Sequence, residues 1–171
     1  MNKTMISRIG LLLLAVAIAV LWYRYRQPNF RMGDKAPDFE VTLIDGRKMQ
    51  RSDLDGHYAL LQFWGSWCGP CRAENPALVG IYQRFQQQGF SIMSIGLEAN
   101  EKAWRRAIQQ DGMIWPWHAM EPHSFSGGIS QMFNIKSIPT TFLLDPDGTI
   151  IGVNMPPEQI EKTLSERLAG R

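Results

Sequence analysis

The chain has 171 residues, of which 44% are hydrophobic, 20% charged and 11% aromatic. That composition excludes an extensively disordered or repeat-built protein, and at roughly 150 residues per domain the length suits one domain with an appendage. The formal charge of +2 is uneven: Lys3, Arg8, Arg24, Arg26, Arg31 and Lys35 face Asp34 alone before residue 36, a balance of +5 that leaves −3 for the rest. The body therefore lacks the electropositive surface a DNA or RNA partner requires.

Ile9–Tyr23 is uncharged and almost wholly apolar. As a helix it covers roughly 22 Å, short of the roughly 30 Å hydrocarbon core of a bilayer. Three readings meet here. A cleaved signal peptide accounts for the short run and for Ala15, Ala17 and Ala19. A buried core helix suits the length but not the position ahead of a basic, Pro-containing stretch. A retained membrane anchor explains more, with Trp22, Tyr23 and Tyr25 at the interface and Arg8, Arg24 and Arg26 snorkelling to extend the span. On that reading residues 1–8 are a short cytoplasmic tail, 9–23 a single-pass anchor in the cytoplasmic membrane, 24–35 a polar linker, and 36–171 a domain on the extracytoplasmic, periplasmic side.

In the body, Phe39, Val41 and Leu43 alternate before Asp45-Gly46, which predicts a hairpin. Tyr58–Trp64 is a compact apolar run expected to form a buried central strand. From Pro70 to about Gln88 the spacing is helical, with Leu78, Ile81, Tyr82 and Phe85 on one stripe and Gly89 as a stop. Phe90–Leu97 predicts a second buried strand, and Asn100–Asp111 a helix capped by Asn100 and ended by Gly112. Ile129, Met132 and Phe133 suggest a short helix. Thr141–Leu144 and Thr149–Val153 read as strands joined at Asp145-Pro146-Asp147-Gly148, and a last helix starts at Pro157 with Ile160, Leu164 and Leu168 as its stripe. Alternating strands and helices argue for an α/β fold, a central mixed sheet with helices on both faces, preceded by a β-hairpin.

Cys68 and Cys71 are the whole thiol inventory. Two cysteines are too few for a four-thiolate zinc site or an iron–sulfur cluster within one chain. The pair lies where the strand Tyr58–Trp64 gives way to a helix. At a helix N-terminus the unpaired N–H groups and the macrodipole favour a Cys68 thiolate, the species that attacks disulfides. Cys71, one turn along the same face, is placed to resolve a mixed disulfide by attacking Cys68. Gly69 permits a tight turn and Pro70 pre-sets the first helical φ. Two blander readings stand beside this one. A static bond would close too small a loop to restrain the unfolded chain much, and a zinc or copper(I) site would need ligands from His57, His118 or His123.

Phe63–Leu78, FWGSWCGPCRAENPAL, resembles the active-site segment of the thioredoxin superfamily, closest to its membrane-anchored TlpA/ResA-like branch, and the resemblance extends over roughly Ala36–Leu168. Its second mark is Ile138-Pro139-Thr140-Thr141, similar to the family's cis-proline loop. The resemblance implies a thioredoxin-like three-layer fold and a thiol–disulfide oxidoreductase whose redox-active disulfide is Cys68–Cys71. It implies a cis Pro139 opposite the cysteines and an Ile138 backbone that pairs with a substrate strand. It further implies a Trp67 that shields the disulfide, a Pro76 that kinks the helix, and a Glu74 that tunes the thiols and moves protons. Implied partners are a protein disulfide substrate among exported proteins, for example apocytochrome c, and a membrane-bound electron donor. No cofactor and no metal are implied. The Gly-Pro dipeptide resembles that of reducing members.

One position departs from the cytoplasmic thioredoxin pattern: Gln62 stands where that group keeps a buried aspartate, and an amide takes no proton from Cys71. That leaves Glu74 or water, with Glu98 as a further candidate. Two rival functions share the fold. A peroxiredoxin-like peroxidase needs a threonine three residues before its attacking cysteine, where this chain has Gly65. A copper-delivery module uses wider cysteine spacing and a distant histidine.

Overall fold

A computed structural model describes residues 3–169, with the side chains of residues 3–7 and 26 left aside. Part of the tail expected over residues 1–8, and the snorkelling of Arg26, therefore fall outside the described residues. The first element is α1 (Lys3–Arg26), a helix of 24 residues and so about 36 Å long. The polar flanks extend the apolar run because each adds intrahelical hydrogen bonds. Among the described side chains α1 is exposed throughout, and its apolar window Arg8–Tyr25 is 0% buried. A core helix is thereby excluded; a helix long and apolar enough to cross a membrane is present.

The segment expected as a linker is not free of the body. The Asn29 amide donates to the Phe133 carbonyl at 3.1 Å and the Gly33 amide to that of Ile150 at 2.8 Å. Phe30 packs on Phe133 with ring centroids 5.2 Å apart, and the Lys35 ammonium donates to the Asp147 carbonyl at 2.7 Å.

Next come β1 (Glu40–Thr42) and β2 (Lys48–Gln50), an antiparallel pair whose turn contains Gly46 at φ 85°, a conformation in which a Cβ is strained. The central sheet is built from β3 (Tyr58–Trp64), β4 (Phe90–Leu97), β5 (Trp117–Glu121), β6 (Thr140–Leu144) and β7 (Ile150–Val153). Its order is β5-β4-β3-β6-β7; β3, β4 and β5 run parallel and β6 and β7 antiparallel to their neighbours. The helices are α2 (Gly69–Phe85), α3 (Glu101–Gln110), α4 (Gly128–Met132) and α5 (Pro157–Leu168).

β5 is the strand the sequence pattern did not reveal. It is short, it follows Pro116, and it places His118 and Glu121 among its buried residues. Its existence depends on the ladder from Met93↔Trp117 to Leu97↔Glu121, a pairing between distant residues. The helix expected to reach Gln88 is α-helical only to Phe85 and finishes as a 3₁₀ turn over Gln86–Gln88.

Period-two alternation along the strands makes two interiors. Leu61, Phe63, Ile95 and Phe142 join the β1–β2 hairpin and Phe133 after α4. Leu60, Trp64, Ile92 and Leu143 face α2, α3 and α5 through Leu78, Phe85, Trp104 and Leu164. Because β3 is central and buried along its whole length, the loop at its end is held from both sides, and that loop leads to Cys68.

Candidate active site

Cys68 is the N-cap of α2: its backbone is extended (φ −87°, ψ 99°), and its sulfur accepts the Cys71 amide at 3.2 Å. The two cysteines form a disulfide with Cα atoms 5.3 Å apart. Cys68 keeps 4% exposure and Cys71 none, so access to the pair is through Cys68. Pro70 stands in the first turn, where its missing N–H costs nothing. The helix runs on through Pro76, whose missing N–H takes away the i→i−4 partner of the Arg72 carbonyl.

Sheet register brings the second half of the site to the first. Thr140 pairs with Phe63 across β3 and β6, so Pro139, just before β6, lies beside the end of β3. The Ile138–Pro139 bond is cis. A Cβ built on Gly65 would approach the Ile138 Cδ1 at 3.3 Å and the Trp67 Nε1 at 2.8 Å, so a side chain there would have to displace the Trp67 indole. The Trp67 indole lies across Gly65 and donates to the Leu97 carbonyl at 3.0 Å. Its ring, 57% exposed, packs on Phe125 with centroids 6.2 Å apart, an aromatic neighbour that no local sequence signal announced.

Glu74 and Pro139 share a hollow of 140 Å³ with Thr141, Asn154 and Met155. Glu74 is half-buried, and burial, with the nearby Glu158 charge adding to it, pushes its carboxyl above the usual glutamate range. Glu98 is occupied otherwise. It is buried, accepts from the Ser66 hydroxyl and from the Asn100 amide at 3.1 Å, and so braces the loop in front of Cys68.

Beneath α2 the departure at position 62 becomes a continuous polar chain. The Trp115 indole donates to the Ser94 hydroxyl at 2.9 Å, Ser94 to the Gln62 Oε1 at 2.7 Å, and the Gln62 Nε2 to the Asn75 Oδ1 at 2.8 Å. The Asn75 Nδ2 donates to the Asp111 Oδ2 at 2.8 Å, and the Arg72 guanidinium closes the chain on Asp111. An indole only donates and a carboxylate only accepts, so both ends dictate the direction of every bond between them. Asn75, one turn after Cys71, is wholly buried. Arg72 and Asn75, by bonding to it, hold the Asp111 carboxyl below the ordinary aspartate range against the opposing effect of burial. Gln62 stood out in the sequence as a departure from the buried aspartate of cytoplasmic thioredoxins; Ser94, Asn75 and Asp111 carried no comparable mark.

These features make the molecule a thioredoxin-like thiol–disulfide oxidoreductase, and its relatives agree. It superposes with a TM-score of 0.75 on the thioredoxin domain of a thiol-disulfide oxidoreductase from Bacteroides vulgatus, at 25% identity over 82% of this chain and 99% of that one. The chain belongs to the AhpC/TSA family, which matches residues 32–153. It is 31% identical over 150 residues to the thiol-disulfide oxidoreductase ResA of Oceanobacillus iheyensis, covering 84% of this chain and 76% of the relative. It is 29% identical to ResA of Bacillus cereus over 98% of this chain and 95% of that one.

Proposed function

We propose that the protein is a membrane-anchored, extracytoplasmic reductase of disulfides in exported proteins, apocytochrome c among them, recharged by a membrane-bound dithiol donor. In this mechanism the Cys68 thiolate attacks a substrate disulfide, forming a mixed disulfide and releasing one substrate thiolate, which takes up a proton. Cys71 then loses its proton and attacks the Cys68 sulfur. The second substrate thiol leaves, and the Cys68–Cys71 disulfide carries away the two electrons' worth of oxidation. A donor dithiol reverses the last state by the same two exchanges.

The observation that carries this reading is the Cys68 sulfur at the N-cap of α2, accepting the Cys71 amide at 3.2 Å. That hydrogen bond and the helix dipole both favour the thiolate over the thiol. Glu74 is the proton carrier in this scheme: its raised carboxyl shares a hollow with Pro139. The Ile138 backbone beside the cis bond is the edge on which the substrate chain lies, and Trp67 is the apolar wall next to it. The exposed α1 is the anchor. Gly65 weighs against the peroxidase reading, which needs a threonine hydroxyl at that position.

The test is the variant Cys71→Ala in cells. Cys68 is expected to accumulate in mixed disulfides with exported proteins, separable on non-reducing gels; if no adducts appear, the exchange mechanism is wrong. A reduction potential above that of the external compartment would replace reductase with oxidant.

A further inference from the structure

The body completes the end of α1. Helix C-termini leave carbonyls without intrahelical partners, and here the Asn134 side-chain amide reaches them, donating to the carbonyls of Gln27 at 2.8 Å and Tyr25 at 3.4 Å. Asn134 itself adopts φ 53°, the left-handed conformation that asparagine tolerates better than most residues. The Lys136 ammonium lies 5.0 Å from the centroid of the Tyr25 ring, a cation at the negative end of the helix dipole. Beyond α1, the backbone bonds of Asn29 and Gly33 and the Phe30 ring hold the chain against the body.

The loop that caps α1 is also the loop that carries the cis bond. At most about 10 Å of chain separates Lys136 from Pro139. A hollow of 280 Å³ between the end of α1 and this loop is lined by Tyr23, Lys136, Ser137 and Asn154. Asn154 also lines the hollow that Glu74 shares with Pro139, and it is fixed between the two by accepting the Thr141 amide at 2.9 Å. A second hollow beside α1 presents Arg24, Arg31 and Met32. The surface around the end of the apolar helix is therefore basic, which suits lipid phosphates.

From this we infer that residues 27–35 and the Asn134–Pro139 loop form a rigid mount, which seats the body on the lipid headgroup layer with the substrate groove opening at that level. The site then serves disulfides close to the membrane surface. The inference rests on reading α1 as the membrane anchor, and it adds a fixed height and orientation that a flexible tether would not provide.

The full chain carrying Cys71→Ala, labelled with a fluorophore on Cys68, tests the mount in phosphatidylcholine–phosphatidylglycerol vesicles with nitroxide on a fraction of the headgroups. The dye is expected to be quenched at least twofold relative to nitroxide-free vesicles. Inserting a 20-residue Gly/Ser segment between Arg26 and Gln27, which adds a reach of ~25 Å, is expected to remove most of that quenching. Equal brightness with and without nitroxide overturns the mount, and so does quenching that the insertion leaves unchanged. Failure of the chain to float with the vesicles overturns the anchor on which it rests. Exchange with a soluble disulfide peptide, measured on the chain with both cysteines and with or without the insertion, is expected to be the same. Its absence from both overturns the redox reading while leaving the quenching result to stand.

Discussion

Along β3, Ala59, Leu61 and Phe63 enter one interior while Leu60, Gln62 and Trp64 face the other, so a single strand serves two cores of different chemistry. On the hairpin side Phe63 and Phe142 meet Phe133 at 5.3 and 5.1 Å between centroids, with Phe30 and Phe39 joining it. This centre is aromatic, and it holds the N-terminal segments to the body. On the α2 side the same strands bury Gln62 and Ser94, with His118 next to Ser94 in register. There the interior positions the helix that bears the cysteines. Both interiors bury large apolar side chains; the α2 side adds buried amide, hydroxyl and imidazole groups, and with them orientation and sensitivity to protonation.

The largest expected effect tests the aromatic side. Phe133→Ala removes a ring in contact with four others and is expected to cost about 3–5 kcal/mol, read as a drop in the urea midpoint. A loss below 1 kcal/mol would show that the ring cluster around Phe133 contributes little to stability. Next is pH. Burial lowers His118 from its ordinary 6.5 to about 4, so the unfolded chain binds a proton over that window while the folded one does not. Stability therefore falls as pH drops from 6.5 towards 4, by roughly 3 kcal/mol. His118→Gln is expected to flatten that slope, and an unchanged slope would shift the acid sensitivity elsewhere.

A smaller effect belongs to the polar chain. Gln62→Leu leaves the Asn75 Oδ1 without its donor and the Ser94 hydroxyl without its acceptor, at an expected cost of about 1–3 kcal/mol. Combined with Asn75→Leu the loss is expected to be less than the sum, because both substitutions break one network; strict additivity would dissolve the chain into independent bonds. The smallest effect is at Glu74. Its raised carboxyl holds its proton in the folded state after the unfolded chain has lost it, so this group lowers stability as pH rises above 4.5. Glu74→Gln is expected to gain slightly on the parent at neutral pH and to match it well below 4.5. It is also expected to flatten the pH profile of thiol exchange, and a profile identical to the parent's would remove Glu74 from proton transfer.

Much of the framework was legible in local pattern. Tyr58–Trp64, Phe90–Leu97 and the helix from Pro157 to Leu168 appear where apolar runs, caps and prolines put them. Cys68 falls at a helix N-terminus because a strand, a glycine and a proline surround it. Each of these signals acts within one or two turns of chain. β5 was not legible, since a short strand with Pro116 before it and buried polar residues within it shows no alternation of its own.

By itself, then, the sequence determined that two cysteines sit at the joint between a buried strand and a helix, and that an apolar N-terminal segment precedes them, because spacing and side-chain chemistry act locally. Tertiary structure brought Pro139 beside that joint, as the family resemblance implied, and it alone decided that Gln62 is one link between Trp115 and Asp111 and that Asn134 caps α1 from a distance of more than 100 residues. Such contacts depend on strand order and on pairing across the sheet, and no window along the chain contains both partners.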